Sequence, residues 1–127
     1  MPDFTLGWVI VYVEEPSKAV AFYKDTFGFD VKFDVGDYAE LSTGATTLAF
    51  ASYALGEKNF PGGVLRPGDQ PANVELALVT TEVDEAFKSA VGAGCTPIAD
   101  PEDKPQGQRV AYVRDPFGTL LELATPL

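Results

Sequence analysis

Few residues of this chain could do chemistry. Glu75 in "NVELALV" and Glu122 in "GTLLELA" each interrupt an apolar, strand-like run. A carboxylate in such a run is costly unless a cation, a proton or a hydrogen-bond donor answers it. Such a pair could bind a cation, transfer a proton through a carboxyl whose pKa burial has raised, or form an internal ion pair with Arg109 or Arg114. The chain has no histidine. That removes the side chain that most often titrates near neutral pH. It also removes Ser-His-Asp and Cys-His nucleophile systems and every histidine-containing metal site. The single cysteine, Cys95, lies among Gly94, Thr96 and Pro97 with no metal-ligand spacing, which predicts a small buried side chain. No catalytic residue is assigned. The aromatic candidates for lining a small-molecule site are Trp8, Tyr12, Phe50, Tyr53 and Phe60. An indole offers a flat apolar face and one N–H donor, and can stack on a ring or a cation. Core packing is the competing role, and the stronger one for Phe50.

The elements that must position these residues are written twice. "GWVIVYVEEPSKAVAFYKDTFGFDV" and "NVELALVTTEVDEAFKSAVGAGCTPI" share an apolar strand, an acidic turn, a helix, a glycine and a second strand. Trp8 aligns with Glu75, Ala19 with Ala86 and Gly28 with Gly94. In the first half the pattern predicts a strand over 8–13 and a helix from Pro16 to about 26, with Ala19, Phe22, Tyr23 and Phe27 inward and Gly28 ending it. Strands follow near 29–33, 37–42 and 46–51. In the second half a strand is predicted over 73–79. A helix follows, opened by Thr81 and Asp84 as a capping box and buried through Val83, Phe87, Ala90 and Val91, with Gly94 ending it. Three strands near 95–99, 108–114 and 119–124 follow, with Asp115-Pro116-Phe117-Gly118 as the last turn. Alternation puts Trp8, Ile10 and Tyr12 on one face of the first strand. It puts Glu75 and Ala77, and Leu120 and Glu122, opposite the helix-facing Leu76, Leu78, Leu121 and Leu123. The stretch 52–72, rich in glycine and proline, reads as a long functional loop or crossover.

Two βαβββ halves, "VYVEEPSKAVAFYKDTFGF" and the closing "GQRVAYVRDPFGTLLEL" together resemble the vicinal oxygen chelate superfamily, which holds glyoxalase I, extradiol dioxygenases, and fosfomycin- and bleomycin-resistance proteins. The resemblance spans essentially the whole chain. It implies one α+β domain of two tandem βαβββ modules forming a curled, cup-like mixed sheet, assembled as a homodimer. The modules are 4–51 and 73–127, joined by the loop 52–72. In the family's metalloenzymes, ligands stand on the first and last strands of each module. Carried over, these positions fall on Trp8, Ala49 (with Leu48 one residue away), Glu75 and Glu122. Only the two glutamates can ligate a metal, so no metal or other cofactor is expected.

The function these residues and the resemblance imply is non-catalytic small-molecule binding, as in the bleomycin-resistance branch and thus linked to antibiotic resistance. A cationic, aromatic-bearing compound would be held by stacking and carboxylate pairing. The alternative is a lyase or isomerase that uses Glu75 and Glu122 as metal ligands or general base. With 19 acidic and 9 basic residues, the net charge of −10 disfavours nucleic acid and anionic membranes as partners and attracts cations. No segment reads as a signal or a membrane span, so a cytoplasmic protein is expected.

Overall fold

The computed structural model describes residues 1–127, which fall into two compact units, Met1–Val64 and Leu65–Leu127. In the first, β1 (Trp8–Val13) leads through Glu14-Glu15 into α1 (Pro16–Phe27). Proline is tolerated in the first turn, where its missing N–H is not needed. Gly28 closes the helix in the left-handed region (φ 79°), and its N–H bonds the Lys24 carbonyl. Next come β2 (Val31–Asp34), β3 (Tyr38–Leu41), β4 (Thr47–Ser52) and a further helix, α2 (Tyr53–Asn59). The strand order is β1-β4-β3-β2, with β1 parallel to β4 and the other pairs antiparallel. One face of this sheet packs on α1. There Tyr23, Val13, Leu41 and Phe50 are fully buried, and the Tyr23 and Phe50 rings lie 5.2 Å apart. Phe22 and Phe27 are only half-buried at the helix margin, and Val20 takes the expected inward place.

The second unit repeats the plan. Its elements are β5 (Glu75–Val79), α3 (Val83–Gly92), β6 (Thr96–Asp103), β7 (Arg109–Arg114) and β8 (Leu120–Ala124). The order is β5-β8-β7-β6, with β5 parallel to β8. Leu121, Leu123, Val113, Val83 and Ala90 form its core with the buried Cys95. Burial, then the charge of Asp115, pushes the Cys95 thiol up to about 11. Asp115 is itself buried and accepts the N–H groups of Phe117 and Thr119 at 2.9 and 2.8 Å, which fixes the turn into β8. No helix is long and apolar enough to cross a membrane.

The strands pair into two four-stranded sheets, one in each unit. Several expectations need correction. The stretch 52–72 is not structureless, because Ser52 caps α2 by accepting the Leu55 N–H at 3.0 Å. Serine at that position satisfies a backbone donor that the helix leaves open. The Thr81–Asp84 box does not form. Glu82 precedes α3 without a side-chain cap, and the Asp84 carboxylate instead takes Arg109 in a forked pair at 3.0 to 3.2 Å. A guanidinium outcompetes a single backbone N–H for a carboxylate. β6 continues past Pro101, because an edge strand with two register shifts tolerates prolines.

Candidate functional site

In the first unit, the face of the sheet turned away from α1 carries Trp8, Ala49 and Glu40. Glu40 stands opposite Ala49, which stands opposite Ile10. Trp8 lies on β1 and Glu40 on β3, so the indole reaches across β4 to make its bond. The Trp8 Nε1–H donates to Glu40 Oε2 at 2.9 Å, and the Tyr38 hydroxyl donates to the same oxygen at 2.7 Å. Lys32 Nζ lies 3.8 Å from the other oxygen. The methyl side chain of Ala49, fully buried, leaves room for this crossing. Burial first, then the hydrogen bond to Glu40 and its charge, push the Tyr38 hydroxyl up to about 12, so it stays a donor.

In the second unit the corresponding face carries Glu75, Glu122 and Tyr112. Glu122 stands between Ala77 on β5 and Tyr112 on β7. The Tyr112 hydroxyl donates weakly to Glu122 Oε2 at 3.4 Å. Glu75 shares this face with Glu122, and its pKa is raised above 4.5. Loss of hydration on the sheet side is the largest cause, even though the residue keeps an open side to solvent; the bond to Glu122 and that residue's charge add to it. Two adjacent carboxylates repel, so each ionises less readily beside the other. Tyr112 is raised as well, by burial, then by the charges of Glu122 and Glu75.

The alternative of an internal ion pair with Arg109 or Arg114 is not realised. Arg109 binds Asp84 and Asp103, and Arg114 donates to the carbonyls of Gly118, Asp69 and Gln70. Among the aromatic candidates, Trp8 is 57% exposed. Phe50 is 0% exposed and belongs to the α1 side, because its strand position alternates it away from Ala49. Tyr53 is buried at the start of α2. Tyr12 packs edge-on against Phe60 at 6.1 Å, and both are half-buried. These three rings hold α2 to its own unit.

A metal centre of the kind the family's enzymes use does not fit these side chains. Within the Trp8, Ala49, Glu75 and Glu122 set only two can ligate, and nowhere do three or more His, Cys, Asp or Glu come together to hold an ion. Catalytic centres of this kind need about three protein ligands. Glu40, Tyr38, Lys32 and Tyr112 were not anticipated. Period-two alternation in "YAEL" already places Tyr38 and Glu40 on one face, but the strand order that brings Trp8 to them is a tertiary fact.

The family model described as the Glyoxalase/Bleomycin resistance protein/Dioxygenase superfamily matches residues 5–123. An uncharacterized protein of Mycolicibacterium smegmatis is 32% identical over 130 residues, covering 100% of this chain and 98% of that one. The crystal structure of a glyoxalase-related enzyme from Fulvimarina pelagi superposes with a TM-score of 0.81 at 22% identity, covering 96% of this chain and 88% of that one. A glyoxalase/bleomycin resistance protein/dioxygenase from Nocardioides gives 0.78 at 19% identity, covering 100% and 86%. At such identities the structural likeness establishes the fold alone.

Proposed function

The chain belongs to the Glyoxalase/Bleomycin resistance protein/Dioxygenase superfamily, and from that premise we propose that it binds a small organic cation bearing an aromatic ring, without turning it over. The observation that carries this reading is the Glu75–Glu122 pair. The two carboxyls share one sheet face, and the two arginines of the neighbouring strand are engaged elsewhere, Arg109 by Asp84 and Asp103 and Arg114 by backbone carbonyls. A cationic guest would relieve the repulsion between the two carboxylates, which a neutral guest cannot do. In the first unit, Trp8 is exposed and offers a stacking surface of its own for an aromatic cation. The net charge of −10 adds long-range attraction for cations. As in bleomycin-resistance-type proteins, binding of this kind serves sequestration, and a homodimer in the cytoplasm is the working form proposed.

The test is calorimetric titration with N-methylquinolinium and other aromatic cations on wild-type protein, Glu75→Gln and Glu122→Gln. Each amide should weaken binding about tenfold or more, the scale of one charge-assisted hydrogen bond. Equal affinity in all three proteins overturns the role of the pair.

One observation favours a second reading. A glutamate that keeps its proton above the usual range is suited to acid–base transfer, which fits a lyase or isomerase. Turnover of a carbonyl-bearing substrate that is abolished in Glu75→Gln would favour it over sequestration.

A further inference from the structure

Trp8 combines two properties that seldom coincide. Its ring is 57% exposed, yet its N–H is fixed to a carboxylate only 5% exposed. An exposed indole ordinarily samples several rotamers, and ordering it has an entropic cost that a ligand must offset. Here the polar end of the ring is already held. Glu40 is in turn held by the Tyr38 hydroxyl at 2.7 Å and by Lys32 at 3.8 Å. Bonds to a charged acceptor are about twice as strong as neutral ones. Ala49, which stands opposite Glu40 on β4, puts only a methyl group on this face.

We infer that Glu40 is a positioning residue, which fixes the Trp8 indole as a preset platform whose free recognition surface is its π face, selecting planar organic cations. First, the single N–H of the indole is used by Glu40, so a ligand meeting Trp8 finds no donor there and must contact the face of the ring. Second, a hydrogen bond to an anionic acceptor pushes electron density into the donor's π system, as linked hydrogen bonds polarise one another. A more electron-rich face attracts cations more strongly than neutral rings. Recognition at Trp8 is therefore by stacking and charge, and an orientation fixed in advance lowers the ordering cost of binding. This inference rests on the reading of Trp8 as ligand-facing, but the clamp can be measured with no ligand present.

Trp8 is the chain's only tryptophan, so every indole signal reports this position. The experiment uses the full chain as wild type, Glu40→Ala, Glu40→Gln and Tyr38→Phe. Time-resolved anisotropy of Trp8 should lack a fast local component in wild type and in Glu40→Gln, which keeps an acceptor oxygen. Tyr38→Phe, which leaves the Trp8 bond intact, should match them and controls for packing. Glu40→Ala should show the fast component. The single indole N–H resonance of wild type should exchange with water about tenfold more slowly than in Glu40→Ala, as a held hydrogen bond requires. A dominant fast component in wild type overturns the clamp and needs no variant that folds. Unchanged anisotropy in a folded Glu40→Ala overturns it as well.

Fluorescence titration then compares N-methylquinolinium with the neutral isostere 1-methylnaphthalene. The cation should bind wild type about tenfold tighter, and the preference should shrink in Glu40→Ala, as a cation–π contact predicts. A clamped indole that binds both compounds equally overturns the cation preference. Failure of the Glu75–Glu122 reading registers separately, as affinities unchanged by the amide substitutions.

Discussion

Glu75 gives up its proton less readily than an isolated surface glutamate, and this has a consequence for stability. Its folded pKa is raised above 4.5 by burial, the Glu122 bond and the Glu122 charge. The stabilising, protonated form is fully present below the ordinary value and is lost as pH rises through the raised one. Glu75→Gln removes this dependence. The variant should match wild type near about pH 4 and melt higher near about pH 8, by roughly 0.5 kcal/mol, the scale of a solvent-screened charge pair. Thermal melts at the two pH values check it, and a variant equally displaced at both sinks the account. Cys95 gives a second prediction at this scale. Its thiol is buried and pushed up to about 11, so it should resist alkylation while the unit is folded. Labelling by iodoacetamide should accelerate with denaturant, and rapid labelling of native protein would contradict the burial.

At the scale of the elements, the turn between β7 and β8 does more than reverse the chain. Arg114 holds the carbonyls of Gly118, Asp69 and Gln70, tying the segment before β5 to this turn. Gly118 sits at φ 100°, and a Cβ there would lie 2.6 Å from the Pro67 Cβ. Gly118→Ala therefore faces backbone strain of about 1–2 kcal/mol and a clash with a rigid ring as well. Its urea midpoint should fall, with increased proteolysis in 65–72, and an unchanged midpoint would mean the turn relaxes freely. The linker is also where sequence reading was least complete. Glycines and prolines at 61–68 mask the preceding YALGEKN, and only the Ser52 cap betrays the helix. Gly56 inside α2 lets the Tyr12 ring approach, since a Cβ there would lie 2.8 Å from it.

At the scale of the whole molecule, charge dominates. A net charge of −10 creates a field that draws cations and repels polyanions. Association of N-methylquinolinium should weaken as salt rises from about 10 mM to about 1 M, because the Debye length shrinks from about 30 Å to about 3 Å. Stopped-flow association rates measured across that range check this, and a salt-independent rate would assign recognition to local contacts alone. The two units have separate cores, one around Tyr23, Phe50 and Leu41, the other around Leu121, Leu123 and Val113.

The sequence by itself determined the repeat, the βαβββ plan of each half, the helix-facing sides of β5 and β8, and the family. The plan follows from local periodicity and from turn residues, which act over a few neighbours, and the family from the resemblance of the motifs. It also identified Glu75 and Glu122 as an unusual pair, since an acid in an apolar strand is visible in one dimension. Tertiary structure alone decided what meets these residues. Arg109 goes to Asp84 and Asp103, Phe50 turns to the core, and Trp8 crosses β4 to Glu40. Strand order brings together residues 32 positions apart, and no local pattern encodes which of several donors will win a given carboxylate. That competition is settled by distance and burial, which exist only once the sheet has formed.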